Sequence, residues 1–249
     1  MKKPGPLNAP PEIMSVLDDL SRSHRILEME GHGDMSMGHL SYRDPEGRGL
    51  WLKRGNLALS EVQPDDYILI DFDGNVLQGE GLRHLEWPLH AEIMKARDDV
   101  NFVGHSHAHF ATVYGAGKGT LGPVNNHGVW FANGGVPRFD ETSHIITTVE
   151  LGKAVARTLG DAEAVLLANH GIAFVGSDVK SLTLCGIFLE WSAKFQIDLE
   201  ASGNDFEFPD ADETVEKNRR IYPEAARNNY WWYFNRKLDR LEGREPQPM

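Results

Sequence analysis

The amino-acid sequence predicts one α/β domain around a mixed β-sheet, and three observations carry that expectation. Short apolar runs of strand length occur at residues 67–71, 100–104 and 164–168. Between them lie stretches whose apolar residues recur at helical spacing, such as Leu89, Ile93 and Met94, or Leu151, Val155 and Leu159. No repeat, low-complexity stretch or clear boundary divides the 249 residues, a length that a single α/β domain routinely reaches.

In chain order, residues 1–10 carry Pro4, Pro6 and Pro10 and read as an extended, flexible lead. From Pro11 to Leu27, the side chains of Ile13, Val16, Leu17, Leu20 and Leu27 share one helical face, and Gly31, Gly33 and Gly38 end that helix. Strand-like pieces follow at 39–43 and 50–53, separated by the turn Asp44-Pro45-Glu46-Gly47. Two more lie at 67–71 and, past the Asp73-Gly74-Asn75 turn, at Val76-Leu77, so this part reads as a β-meander. A helix is expected over 87–97, with Glu86 just before its start, where the helix dipole favours a carboxylate. The strand 100–104 runs directly into His105. A helix over 148–159, closed by Gly160, leads to the strand 164–168, which runs into Asn169-His170-Gly171. Residues 172–175 form another strand, and Ser177-Asp178 cap a long helix to about residue 200. The stretch 212–241 reads as polar helix with an aromatic knot at 230–234.

A formal net charge of −12 argues against nucleic acid as a partner, because phosphate binding needs a basic face. No run of about 18 apolar residues is present, and Lys2-Lys3 has no apolar stretch behind it. Neither a membrane span nor a signal peptide is therefore expected, and the cytoplasm is the expected compartment. The lone Cys185 cannot form an internal disulfide and is expected to be a buried small hydrophobe.

The chemistry concentrates in histidines at strand ends. His105 and His107 bracket one residue, so on a strand both imidazoles point the same way and can reach one ion. His170 again follows an apolar strand. If the two strands run in the same direction, their ends can bring three ring nitrogens around one point, leaving an open coordination position. Imidazole suits zinc, iron, nickel and copper, so the set does not name the metal. Glu86 is a fourth ligand or a general acid/base, although a glutamate at a helix start is by itself more often a capping partner. Arg43, Lys53 and Arg54 are candidates to anchor a substrate carboxylate, and His109 and His127 are further pocket candidates.

Taken together, these residues resemble the class II aldolase/adducin family. The resemblance runs through Gly38-His39-Leu40-Ser41-Tyr42-Arg43, the strand-turn-strand 67–79, Glu86-Trp87-Pro88-Leu89-His90, residues 95–100, His105-Ser106-His107 and Leu167-Ala168-Asn169-His170-Gly171. It covers roughly residues 12–200, in the family's order and spacing. It implies a three-layer αβα sandwich, a metal site at the Glu86, His105, His107 and His170 counterparts, and one divalent ion (Zn, Mn or Fe) per subunit. It also implies a homotetramer with active sites at subunit interfaces. On that basis 11–205 is the metal-binding domain, and 206–249 is a helical segment packed at such an interface.

Where sugar-phosphate aldolases of the family hold phosphate, this chain has Gly38-His39, Leu52-Lys53-Arg54-Gly55, His84 and Leu85, bulky groups that disfavour a phosphate nest. The start of the motif is similar to the branch with metal-dependent decarboxylases of hydroxylated aromatic dicarboxylates. The expected activity is a metal-dependent carbon–carbon lyase, a decarboxylase or aldolase, acting on a non-phosphorylated hydroxy or oxo carboxylate. A non-haem Fe(II) oxygenase, an epimerase or dehydratase, and a non-catalytic adducin-like interaction protein are the alternatives.

Overall fold

The computed structural model describes residues 7–246, so residues 1–6 of the expected flexible lead lie outside the described residues. Eight strands form one sheet: β1 (His39–Arg43), β2 (Leu50–Lys53), β3 (Tyr67–Ile70), β4 (Val76–Gln78), β5 (Phe102–Ser106), β6 (Arg138–Phe139), β7 (Ala164–Leu167) and β8 (Gly171–Gly176). Their spatial order is β4-β3-β2-β1-β5-β8-β7-β6. Every pairing is antiparallel except β6 with β7, which makes the sheet mixed, as expected.

Successive side chains of these strands enter two different cores. Trp51, Tyr67, Leu69, Leu166, Ile172 and Phe174 pack on one face, and Leu50, Leu52, Ile68, Ile70, Val165, Leu167, Ala173 and Val175 on the other. A strand buried on both faces needs no polar alternation, which is why β3, β7 and β8 read as continuous apolar runs. The first face is covered by α1 (Pro11–Leu27), α3 (His109–Ala116), α5 (Val179–Ala201) and α7 (Glu224–Leu241), and the second by α2 (Trp87–Ala96) and α4 (Val149–Leu159). The result is the expected three-layer αβα sandwich. Among the described residues, no helix is long and apolar enough to cross a membrane.

Caps follow the residue chemistry. Thr148 and Asp178 accept hydrogen bonds from the Leu151 and Ser181 amides and so start α4 and α5. After α1 the chain continues through a π-helical turn, Glu28–His32, and the positive φ of Gly31 ends it there rather than at Leu27. The polar tail is split into α6 (Ala211–Ile221) and α7 because Pro223, with no N–H, cannot continue the first helix. Strand β5 starts and ends two residues later than its apolar run suggests. Gly104 sits mid-strand under the Phe174 ring, where a Cβ would collide, and the ladder with β8 extends to Ser106 opposite Ile172. His105 is therefore inside the strand and His107 just past its end. The short helix α3 and the two-residue β6 carry too few residues to print a period in the sequence.

Cys185 is fully buried, and its thiol donates to the Glu163 carbonyl at 3.3 Å. The Glu163 carboxyl is pushed up from 4.5 to about 7 by burial, which the Arg227 charge only partly offsets. The folded chain thus holds this proton more tightly than the unfolded chain, and stability falls as pH rises from about 4.5 to about 7. Glu163→Gln is expected to remove that loss. In thermal melts from pH 5 to 8, the drop in Tm toward pH 8 should be smaller in the variant; an identical drop would contradict the assignment.

Candidate metal centre

Strand β5 delivers His105 with its ring wholly buried, and Nδ1 lies 2.9 Å from the Ile172 carbonyl of β8. A carbonyl only accepts, so Nδ1 carries the proton and Nε2 presents a lone pair. Beyond the end of the strand, His107 Nδ1 lies 2.8 Å from Asp34 Oδ2, which likewise leaves Nε2 as the acceptor. The turn between β7 and β8 supplies His170. Asn169 takes a left-handed φ of 55° there, and the His170 amide donates to the Leu167 carbonyl. Gly171 lets this turn lie against β5, since a Cβ at that position would meet the Ser106 carbonyl and the His107 ring. Strands β5 and β7 do run the same way, but β8 lies between them. The turn, rather than a neighbouring strand end, therefore carries the third imidazole across.

The three rings lie 4.9–5.4 Å apart between centroids. One ligand atom from each falls within 4.8 Å of the others. All three Nε2 atoms are buried and have no hydrogen-bond partner among the described residues. Each such orphan costs about 1–3 kcal/mol unless something binds it. Convergent imidazole lone pairs cannot satisfy one another, and a divalent cation satisfies all three. The residues present therefore fit a metal ion.

Glu86 occupies the N-cap position of α2, yet its side chain makes no capping bond. It points instead into the histidines: Oε2 is 3.3 Å from His105 Nε2, and Oε1 is 3.4 Å from His170 Nε2 and accepts the Ile146 amide at 2.7 Å. Burial opposes its charge, but His105, His170 and that amide hold its pKa well below the usual carboxylate range. Burial likewise penalises a charged His105, and the adjacent Glu86 outweighs it and raises the pKa. His170 is pushed down to about 4 by burial and by the His105 charge.

Behind this centre lies a set of buried rings whose role the sequence did not reveal. His39 pairs in register with His105 across β1 and β5, and its Nε2 is 4.0 Å from Glu86 Oε2. His39 Nδ1 is 2.6 Å from His90 Nε2, and His90 Nδ1 is 2.7 Å from the Ser41 hydroxyl. These contacts tie Ser41, His90 and His39 into one buried chain that ends beside Glu86. Burial pushes His90 and His84 down to about 3 and His39 well below the ordinary imidazole value, so these rings are neutral. The signal was present, since Gly38-His39 and His90 lie in the family motif, but only the antiparallel register places them beside Glu86.

A cavity of about 390 Å³ opens onto the centre. His39, His84, Glu86 and His107 line its polar side, and the exposed Leu82, Leu85 and Ile145 line its mouth. Of the five expected substrate-binding residues, Lys53 comes nearest. It is fully buried, donates to the Gly38 carbonyl at 3.1 Å, and lies 3.4 Å from His84 Nε2. Burial pushes its pKa down to about 8. The other four are not brought to this cavity. Arg43 sits at the far end of β1 from His39, four residues or ~13 Å along a strand, and its guanidinium donates to the Met94, Arg97 and Val100 carbonyls. Arg54 pairs with Asp66 at 2.8 Å. His109 is exposed at the start of α3 against Phe110, and His127 packs on Phe188 and Trp191 in a separate aromatic cavity.

The sequence model described as "Class II Aldolase and Adducin N-terminal domain" matches residues 18–197. The chain belongs to this family. Among its relatives, the 3,4-dihydroxyphthalate decarboxylase of Arthrobacter keyseri is 29% identical over 200 residues, spanning 76% of this chain and 80% of that one. The 5-methylthioribulose-1-phosphate/5-deoxyribulose-1-phosphate aldolase of Rhodospirillum rubrum is 31% identical over 153 residues, 61% of this chain and 67% of that one. The solved L-fuculose 1-phosphate aldolase of Glaciozyma antarctica superposes with a TM-score of 0.82 at 24% identity, covering 99% of this chain and 97% of that one. At that identity the last likeness speaks to the class II aldolase fold alone. The relatives include both decarboxylases and aldolases.

Proposed function

We propose that this class II aldolase family chain is a metal-dependent carbon–carbon lyase acting on a non-phosphorylated hydroxy or oxo carboxylate. The observation that carries the reading is the meeting of three buried Nε2 atoms that have no hydrogen-bond partner among the described residues, with the Glu86 carboxylate against those of His105 and His170. His105, His107 and His170 would hold one divalent ion. When bound, such an ion supplies the Lewis acidity that stabilises the electron pair left on carbon as carbon dioxide or an aldehyde departs. Glu86 moves the proton: the Ile146 amide fixes Oε1, and Oε2 faces both the rings and the cavity. His39, backed by His90 and Ser41, keeps that carboxylate oriented without competing for its proton, because the chain of rings is neutral.

The substrate class follows from the cavity walls. Imidazoles at 39 and 84 with the Lys53 ammonium behind them favour an anionic, oxygen-rich group, and Leu82, Leu85 and Ile145 favour an apolar or aromatic body. A homotetramer in which segment 206–249 closes the site of a neighbour belongs to the same reading, and sedimentation would test it. The direct assay loads the protein with Zn(II), Mn(II) or Fe(II) and offers aliphatic and aromatic hydroxy-carboxylates. Release of carbon dioxide or an aldehyde is expected, abolished by EDTA and restored by the metal. Oxygen uptake with Fe(II) alone would overturn the lyase reading in favour of an oxygenase, and turnover unaffected by EDTA would overturn metal dependence.

A further inference from the structure

We infer that Asp34 is a positioning residue that couples the wall of the substrate cavity to the metal centre; this rests on the metal site proposed above. Asp34 lies in the segment 33–38, between the π-helical turn and β1, where no strand or helix fixes the backbone. Within it, Met35 takes a φ of 51° and Gly38 one of 82°, and a single bridge joins Asp34 to Met37. Hydrogen bonds from outside hold the segment: the Lys53 ammonium donates to the Ser36 and Gly38 carbonyls, and the Asp34 carboxylate meets His107 Nδ1 at 2.8 Å. Ser36, Met37 and Gly38 line the cavity that opens onto Glu86.

The three ligand rings differ in what steadies them. His105 is held by the Ile172 carbonyl inside the ladder between β5 and β8. His107 lies past that ladder, and its Nδ1 partner is a half-buried carboxylate on a loop. A carboxylate accepting from Nδ1 fixes the tautomer, aims Nε2 at the ion and raises the basicity of the ring. Linkage makes the effect reciprocal: an ion that draws on His107 strengthens its bond to Asp34 and orders the 33–38 wall, and an ordered wall tightens the ion. Removing such a partner typically weakens metal affinity about 10- to 100-fold.

The test uses the full chain, wild type and the variants Asp34→Ala and Asp34→Asn, with Zn(II) affinity read by competition against a chromophoric chelator. Hydrogen exchange of the 33–38 amides is followed with Zn(II) and with EDTA. Asp34→Ala should bind Zn(II) about 10- to 100-fold more weakly, and Asp34→Asn, which keeps an accepting oxygen without the charge, should fall between it and wild type. Zn(II) should slow exchange across 33–38 in wild type and not in Asp34→Ala. Wild-type binding with both variants within threefold of it, or equal Zn(II) protection of the loop in Asp34→Ala, would overturn the role of Asp34 and leave the metal site standing. A wild-type chain that binds no Zn(II) would overturn both.

Discussion

His170→Ala is expected to strip the protein of its divalent ion and to lower turnover by on the order of a thousandfold, since several kcal/mol of Lewis-acid stabilisation vanish with the metal. The two losses should move together because the ring has no other task that the fold depends on. It sits on the β7–β8 turn, outside the ladder, where Asn169 and Gly171 shape the backbone. The metal-free variant should therefore melt close to metal-free wild type. Metal analysis beside the assay decides the matter: full occupancy in the variant would remove His170 from the ligand set.

Glu86→Gln separates proton transfer from metal holding. The amide oxygen can still accept from the Ile146 N–H, so the side chain should stay where it is. What is lost is the carboxylate oxygen 3.3 Å from His105 Nε2, in a side chain that lines the cavity, and with it the group that takes up and returns a proton. General acid–base catalysis contributes about 10²–10⁴-fold, and the variant's kcat should fall by that factor while the ion remains bound. Loss of metal as complete as in His170→Ala would instead make Glu86 a principal ligand. The measurement is a parallel titration of metal affinity and kcat in the two variants.

How much of this was legible in the sequence depends on whether the information is local. Strands buried on both faces announce themselves as apolar runs, and the sandwich could be read from them and from the family motif. His105, His107 and His170 stand out because each follows or ends such a run. The contact between Asp34 and His107, 73 positions apart, and the opposition of His39 and His105 have no local signature. The second arises from antiparallel register and the first from the path of the 33–38 loop, and a sequence without pairing information discloses neither. The charged residues near the motif misled for a related reason. Arg43 shares a strand with His39, but the strand carries it to the other end of the sheet, where backbone carbonyls left over at the end of α2 take up its donors. Lys53 is on the neighbouring strand at the histidine end, and so stays close to the cavity.

One cation shared by three distant imidazoles is the core of the proposed site, and anomalous diffraction tests it most directly. Crystals of the metal-loaded protein, measured on either side of the absorption edge of the metal, should give one strong peak per chain. That peak should lie about 2.0–2.2 Å from the Nε2 atoms of His105, His107 and His170. A fully occupied metal found elsewhere in the chain, with those three nitrogens unbound, would contradict the account.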